Sequence, residues 1–393
     1  MKQFDFYQSG IKQASFYVAD SEITYTKNDQ DSQLLDKPAN QQLTADMKVN
    51  PQQLFNEWQP EFETGNFKQT TRFTTSWGAQ YEPTSNEHLW IQRQAKPAVN
   101  LIINQQTLVG FQISVRNLTT ILVRPGFEHL TILKQWEDAG MLLSKAHRLK
   151  RRYTAMVEMR DGVKLATEIF LPDNVDTPLS TVLVRTPYGR ELFFHDEFRF
   201  VERGYVLVVQ DTRGRNDSEG DWLPMYYERE DGQDTIEWIA NQEWSNERIG
   251  MIGGSYGGYV QWAAASSGTP YLKALVSMVT AGGPFTDTTY KTGAPLSGSL
   301  AWFFATSERK FHPEKLIRDD WEKLMQIRPL SQILVEGLGH EITGFSEFMK
   351  HYAYDDFFEN MDWKTRGDQI YVPALIQSGW YDDNGVGTTE ALP

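Results

Sequence analysis

Gly253-Gly254-Ser255-Tyr256-Gly257 is the one G-x-S-x-G stretch in the chain. It follows an apolar run that ends at Ile252 and precedes an Ala-rich segment, Tyr256 to Ser267, that stops at Gly268-Thr269-Pro270. Strand, sharp turn and helix in that order are what a nucleophile elbow requires. The turn lifts the Ser255 hydroxyl above a sheet. The flanking positions must be nearly free of side chain, because the strand and helix backbones pass close together there. Gly253 and Gly257 meet that need. The Tyr256 N–H falls at a helix N-terminus, where it can help to stabilise an oxyanion. The chemistry implied is acyl transfer through a serine. The competing reading is a glycine-rich turn that only packs a helix on a sheet. Two other glycine motifs fail by spacing. No pair among Gly250, Gly253, Gly254, Gly257 and Gly258 has the G-x-G separation of a dinucleotide site, and a P-loop needs Lys where Tyr259 stands.

Other reactive chemistry is thin. The chain has no Cys, which excludes disulfides, thiolate zinc sites, iron–sulfur clusters and a Cys nucleophile together. His340-Glu341 lacks the second His of a zincin motif, so no metal is expected, and nothing calls for a cofactor. Asp211, Arg213 and Asp217 read as a structural polar network, and His351 as a structural histidine. With 38 Lys and Arg against 52 Asp and Glu, the net charge is −14. Such a chain repels phosphate backbones, so nucleic acid is not an expected partner. A 40% hydrophobic content, with 13% aromatic residues, is enough to bury a large core and excludes general disorder. No apolar stretch is long enough for a membrane span, and Met1 to Gly10 does not read as a leader. The expectation is a cytoplasmic protein, or one whose leader was removed.

The elements that must position Ser255 follow from short apolar runs. Thr181 to Val184, Tyr205 to Val209, Ile249 to Ile252, Leu275 to Val279 and Val372 to Ile376 are apolar on both faces, as strands buried in a parallel sheet are. Thr154 to Glu158 and Lys164 to Leu171 flank Arg160-Asp161-Gly162 as a hairpin. Asp231 to Asn241 reads as a helix with Ile236 and Ile239 on one face. Strands that alternate with helices predict an α/β fold with a mostly parallel sheet. Residues 283 to about 367 break the rhythm with Trp302-Phe303-Phe304, Trp321, Phe345, Phe348, Phe357-Phe358 and Trp363, and read as a helical cap insertion. Residues 1–150 are rich in Gln, Asn and Thr. The alternating run Phe111 to Val115, the run Thr120 to Val123 and the Pro125-Gly126 turn predict a separate β-rich module. Leu130 to Arg152 reads as a helix ending in the basic cluster Lys145, Arg148, Lys150, Arg151 and Arg152. The domain division is therefore 1–150 and 151–393.

From about residue 153 onward the sequence resembles the cocaine-esterase / X-prolyl dipeptidyl-peptidase (CocE/NonD-type) family of α/β-hydrolases. Six ordered pieces carry the resemblance: Arg160 to Leu165, Arg185-Thr186-Pro187-Tyr188-Gly189, Gln210 to Gly220, Gly253 to Trp262, Tyr354-Asp355-Asp356-Phe357, and Ser378-Gly379-Trp380-Tyr381-Asp382. The first 150 residues lie outside it. The resemblance implies that Ser255 is the nucleophile, that Asp382 orients the general base, and that Tyr188 supplies a phenolic oxyanion donor beside the Tyr256 amide. Asp383 competes with Asp382, and alignment on Gly379-Trp380-Tyr381 selects Asp382. The implied substrate is a small acyl ester or a peptide. In the amino-ester hydrolases of the family, acids stand two and three residues after this Asp. Asn384 and Gly385 occupy those places, which favours a neutral acyl ester.

The resemblance also implies a histidine beyond the acid, on the loop after a last strand, followed by a β-rich C-terminal domain. All seven histidines, His88, His129, His147, His195, His312, His340 and His351, precede Asp382. No catalytic histidine is therefore assigned. The expectation is a chain nearly inert as an esterase by itself, unless His340 or His351 folds over the site. It would form a homo-oligomer or associate with a polypeptide that supplies the missing half. A non-catalytic binding module that keeps the elbow is the alternative.

Overall fold

The computed structural model describes residues 1–392 except 21, 28–29, 116–117, 174–175 and 292–293. The chain divides into two compact units, Met1–Ala146 and His147–Pro393.

The N-terminal unit is built on a ten-stranded sheet whose paired strands are all antiparallel. The predicted runs fall in Thr107–Val115 and Leu118–Val123, which pair with Leu118 opposite Val115. Two helices, Lys37–Met47 and Pro51–Trp58, contribute to its core. Each begins with a side-chain cap and an early proline: Asp36 accepts from the Ala39 N–H at 2.9 Å, and Asn50 from the Gln53 N–H at 3.0 Å. Phe4, Phe16, Phe55, Phe62 and Phe111 form the centre of that core, all buried.

The helix expected from Leu130 to Arg152 is mostly absent. Only Leu133–Asp138 is α-helical, and the chain turns away at Gly140, whose φ of 67° lies in the left-handed region. Lys150, Arg151 and Arg152 instead lie on a strand, β1 (Leu149–Glu158), at one edge of the second sheet. Charge on an edge strand discourages pairing with another chain. Here Arg152 also reaches across to Glu168, Nε to Oε1 at 2.5 Å, and the Arg151 guanidinium lies over the Tyr153 ring.

The second unit has β1, β2 (Lys164–Pro172), β3 (Leu179–Thr186), β4 (Val206–Asp211), β5 (Ser245–Gly254), β6 (Leu272–Met278) and β7 (Ala374–Gln377). Their order across the sheet is β1-β2-β4-β3-β5-β6-β7. β2 is antiparallel to both neighbours, and every pair from β4 to β7 is parallel. All six residues of β4 are buried, the expected outcome for an apolar run in the middle of a covered sheet.

Helices α1 (Glu228–Ala240) and α2 (Tyr256–Ala265) help to cover the sheet. Ile236 and Ile239 are fully buried, and every residue of α2 is buried. The Ala-rich composition has a steric reason. A Cβ on Gly232 of α1 would stand 2.8 Å from the Ala264 Cβ, so the two helices meet on small residues.

Between β6 and β7 the chain forms the expected helical insertion, but in short pieces. The longest is α3 (Ser297–Ala305), followed later by α4 (Thr343–Phe348) and α5 (Asp356–Met361). Phe303, Phe304, Phe345, Phe348, Phe358 and Trp363 are buried and join the main core.

Candidate active site

Ser255 stands between the last residue of β5 and the first of α2, with φ 57° and ψ −119°. For a residue with a Cβ this is strained backbone, of the kind that costs roughly 1–3 kcal/mol and is retained where the surroundings over-determine it. They do so here. The Ser255 N–H donates to the Met278 carbonyl at 3.0 Å, tying the elbow to the end of β6. The Ser255 carbonyl accepts from Gly258 and Tyr259 inside α2 and from Ala281 on the loop after β6, at 2.9, 3.1 and 3.1 Å.

The glycines around the elbow are not equivalent. A Cβ on Gly253 would lie 2.9 Å from the Gly257 carbonyl oxygen, as the sequence pattern requires. At Gly257 itself a Cβ would meet only the Arg185 carbonyl, at an ordinary 3.8 Å. The second glycine that must lack a side chain is Gly258, where a Cβ would stand 2.7 Å from Thr280 Oγ1 and 2.9 Å from its Cα. The steric constraint therefore sits one residue later than G-x-S-x-G implies.

Ser255, Tyr188 and Tyr256 line one cavity of about 410 Å³. Tyr188 follows β3 and Ser255 follows β5, so both stand at the carboxyl ends of parallel strands, where open α/β sheets bind ligands. Burial pushes the Tyr188 phenol above its ordinary range. Hydrogen bonds with the Trp302 indole and the Ser255 hydroxyl act in the opposite direction. The indole Nε1–H donates to the Tyr188 oxygen at 3.3 Å. A phenol held above its ordinary range keeps its proton at neutral pH and can donate it to a developing oxyanion. The Tyr256 N–H lies in the first turn of α2, where amides have no acceptor within the helix. The Tyr256 side chain points elsewhere: its hydroxyl donates to Glu228 Oε1 at 2.7 Å and accepts from the Met225 N–H at 2.8 Å.

The acid loop follows β7. Asp383 and Asn384 line the cavity, and Asp382 is not among the lining residues. Asp382 is half-buried and accepts from the Asn384 N–H at 2.9 Å, which closes its own turn. The structure thus brings Ser255, Tyr188 and Tyr256 together and places Asp382 one residue away from the wall. Trp380 and Tyr381 beside it are fully exposed, as is most of Tyr371 and Leu375 around β7. β7 is the last strand in the sheet, and its outer edge has no partner among the described residues.

None of the histidines with described side chains lines this cavity. His147 bonds the Asp173 carbonyl, and His312 lies between Glu308 and Glu314. His340 bonds the Glu341 carbonyl. His351 pairs with Asp355 at 2.6 Å and stacks on Phe357 at 4.2 Å. His340 and His351 are therefore engaged elsewhere rather than folded over Ser255. His88 and His129 belong to the N-terminal unit, and the side chain of His195 lies outside the described residues. Asp211 and Arg213 serve as structural ties: Asp211 pairs with Arg190, and Arg213 with Asp231 and Asp161. Asp217 joins the first pair through Arg190 at 2.8 Å. Among the described residues no group of three His, Asp or Glu is arranged to hold a metal ion.

Two carboxylates that the sequence pattern did not single out support the site. Glu228 is fully buried beneath the elbow, bonded to Arg185 at 2.6 Å and to the Tyr256 hydroxyl. Burial raises its pKa, while Arg185 opposes the rise. Its only trace in the sequence is its place in the acidic start of α1. Asp287, also buried, accepts through Oδ2 from the Gly282 N–H at 2.9 Å and from the Gly387 N–H at 3.1 Å. It thereby straps the helix after the acid loop, α6 (Gly385–Glu390), to the loop after β6. Gly387 must lack a Cβ there, since one would overlap Gly282 and Thr280.

Sheet order, elbow and cavity together define an α/β-hydrolase. The chain belongs to the X-Pro dipeptidyl-peptidase (S15) family, whose profile matches residues 161–392. It is 33% identical over 250 residues to the cocaine esterase of Rhodococcus sp. (strain MB1 Bresler), a match that covers 58% of this chain and 43% of that protein. The chain thus spans less than half the length of that relative. Among solved structures, an α-amino acid ester hydrolase aligns with a TM-score of 0.50 and 26% identity, over 61% of this chain and 45% of the other. An aminopeptidase from the marine sediment archaeon Thaumarchaeota archaeon aligns with a TM-score of 0.50 and 25% identity, over the same shares. Among the described residues no helix is long and apolar enough to cross a membrane.

Two stability measurements test this account of the site. Urea unfolding should find Gly258→Ala less stable by about 1–3 kcal/mol, the cost of overpacking. Gly257→Ala should be neutral, or more stable by up to about 1 kcal/mol through helix propensity. The reverse order would contradict the close approach at Thr280. Asp287→Ala removes an acceptor of two charge-assisted hydrogen bonds, each worth about 1.5–3 kcal/mol. It should cost at least about 2 kcal/mol, and a change below about 0.5 kcal/mol would refute the strap.

Proposed function

We propose that this chain carries the nucleophile and oxyanion site of a serine hydrolase that cleaves small carboxylic esters through an acyl-enzyme at Ser255. The observation that carries the reading is the strained backbone of Ser255, which holds its side chain in the same cavity as the Tyr188 phenol. Ser255 Oγ attacks the ester carbonyl carbon, and its proton passes to a general base. The carbonyl oxygen becomes an oxyanion that accepts from the Tyr188 hydroxyl and the Tyr256 N–H. Collapse expels the alcohol, which takes the proton from the base. Water, deprotonated by the same base, then attacks the acyl-enzyme and frees Ser255.

The base is an imidazole from polypeptide outside residues 1–393, held in its tautomer by the acid loop through Asp382. The free edge of β7 and the exposed Leu375, Trp380 and Tyr381 beside it support docking of that polypeptide here. Met225, Leu296, Trp302, Phe303 and Phe348 give the cavity an apolar wall, which favours a neutral acyl group. An amide substrate is the second reading. The family profile favours it, and the Asp383 carboxylate in the cavity wall could meet a peptide ammonium group.

The test is turnover of short-chain p-nitrophenyl esters and of X-Pro anilides by the 393-residue chain. It is run with and without an added polypeptide matching the C-terminal half of the cocaine esterase relative. Alone, the chain should give only the residual acceleration of an incomplete triad, roughly 10³–10⁴ over water. Complemented, it should turn over the esters. Ser255→Ala should abolish that activity, and Tyr188→Phe should lower kcat about 10²–10³-fold. Robust Ser255-dependent turnover by the chain alone would overturn the claim of an external base. Preference for the anilides would select the peptidase reading.

A further inference from the structure

We propose that the cavity beside Trp77 in the N-terminal unit is a binding site for a neutral oligosaccharide. The cavity measures about 430 Å³, and its lining combines one exposed aromatic face with several side-chain amides.

Trp77 is 43% exposed, unusual for so large an apolar side chain, yet it is not loose. Its ring meets Trp58 edge-on at 5.2 Å, and Trp58 meets Tyr81 edge-on at 5.4 Å. Trp58 and Tyr81 are buried, so the exposed indole stands on a fixed aromatic column. The loop that carries it is equally fixed. Thr75 N–H donates to the Ala79 carbonyl at 2.8 Å, Gly78 N–H to the Thr75 carbonyl at 3.0 Å, and Ala79 N–H to Thr75 Oγ1 at 2.9 Å. Gly78 has φ 89°, a conformation that closes the turn and suits glycine. An indole presented in advance loses little freedom when a ligand stacks on it.

The surrounding wall supplies Gln80 and Gln94, together with Asn50 and Gln53, of which Asn50 Oδ1 is already taken by the Gln53 N–H and Gln53 Nε2 by Glu57. Side-chain amides both donate and accept, which matches sugar hydroxyls, themselves donors and acceptors. Gln94 is held at φ 56°, a strained value for a residue with a Cβ. Arg93, the one cation among the described lining residues, is bound to Glu82, and Glu57, which accepts from the neutral Gln53 amide at 2.8 Å, leaves a carboxylate in the wall. A cavity without an available cation is poorly suited to phosphate, which argues against a nucleic acid. A proline-rich peptide needs a row of exposed aromatic rings, and here only Trp77 is exposed. A sugar ring fits both halves of the site, with its C–H face on the indole and its hydroxyls on the amides.

The site is independent of Ser255 chemistry, and its test uses the full chain carrying Ser255→Ala, so that no substituent is hydrolysed. Calorimetric titrations with cellohexaose, xylohexaose, maltohexaose and chitohexaose should show at least one ligand with a Kd below about 1 mM. Trp77→Ala, at an exposed position, should weaken that ligand at least about tenfold with an unchanged circular dichroism spectrum, and Gln94→Ala should weaken it several-fold. Failure of all these saccharides to bind at about 10 mM would overturn the proposal. So would affinity unaffected by Trp77→Ala, or tighter binding of decaproline or of a thymidine oligonucleotide than of any saccharide.

Discussion

One strained residue organises the second unit. The backbone at Ser255 lies in a region of φ and ψ that a side chain disfavours, and it stays there because β6, α2 and the loop after β6 all bond to it. The parallel register of β5 with β6 places Gly254 beside Met278, so the carbonyl that receives the Ser255 N–H is fixed by the sheet itself. The carbonyl of Ser255 is shared between the helix it starts and Ala281 on the neighbouring loop. Rotating the turn to a relaxed conformation would forfeit these bonds together. The side chain therefore has one direction to take, out into the cavity.

Below that turn lies a buried polar layer. Arg185 on β3 bonds Gln210 on β4 at 2.8 Å and Glu228 at the start of α1, and Glu228 receives the Tyr256 hydroxyl. Thr235 also donates to Gln210 at 2.9 Å. These groups have no water to replace a lost partner, so removal of one leaves the others unsatisfied at high cost. The layer fixes the first turn of α2 against the sheet, and with it the direction of the Tyr256 N–H. Asp287 performs a comparable task on the other side, where it holds the acid-loop helix to the loop that touches Ser255. Positioning of the candidate site thus depends on two buried carboxylates, of which Glu228 lies behind the cavity wall and Asp287 forms part of it.

How much of this could be read from the sequence varied with the length scale of the interaction. The parallel strands were legible because strands covered on both faces need unbroken apolar runs, and Val206–Asp211 is such a strand. The elbow was legible because a local steric constraint leaves a local glycine pattern. The exact glycine was not: Gly258 faces Thr280, a contact made across the fold, whereas the pattern pointed to Gly257. Glu228 and Asp287 leave no signal in the sequence, because Arg185, Tyr256 and Gly387 lie far along the chain from them and an acidic residue looks the same whether it caps a surface helix or sits in a core. Lys150 to Arg152 read as the end of a helix because basic residues carry little period of their own. Their strand is set by pairing with Lys164–Pro172 and by the contact of Arg152 with Glu168.

Under the proposed function, Ser255 should undergo acyl transfer once a base is supplied. Free imidazole in solution can stand in for that base, so the most direct measurement is mass spectrometry of the chain after exposure to a fluorophosphonate at increasing imidazole concentration. The account predicts a single adduct, mapped to the peptide containing Ser255, whose rate of formation rises with imidazole and is strongly reduced in Tyr188→Phe. Absence of a Ser255 adduct at every imidazole concentration in the folded chain, or labelling that proceeds at full rate without imidazole, would contradict it.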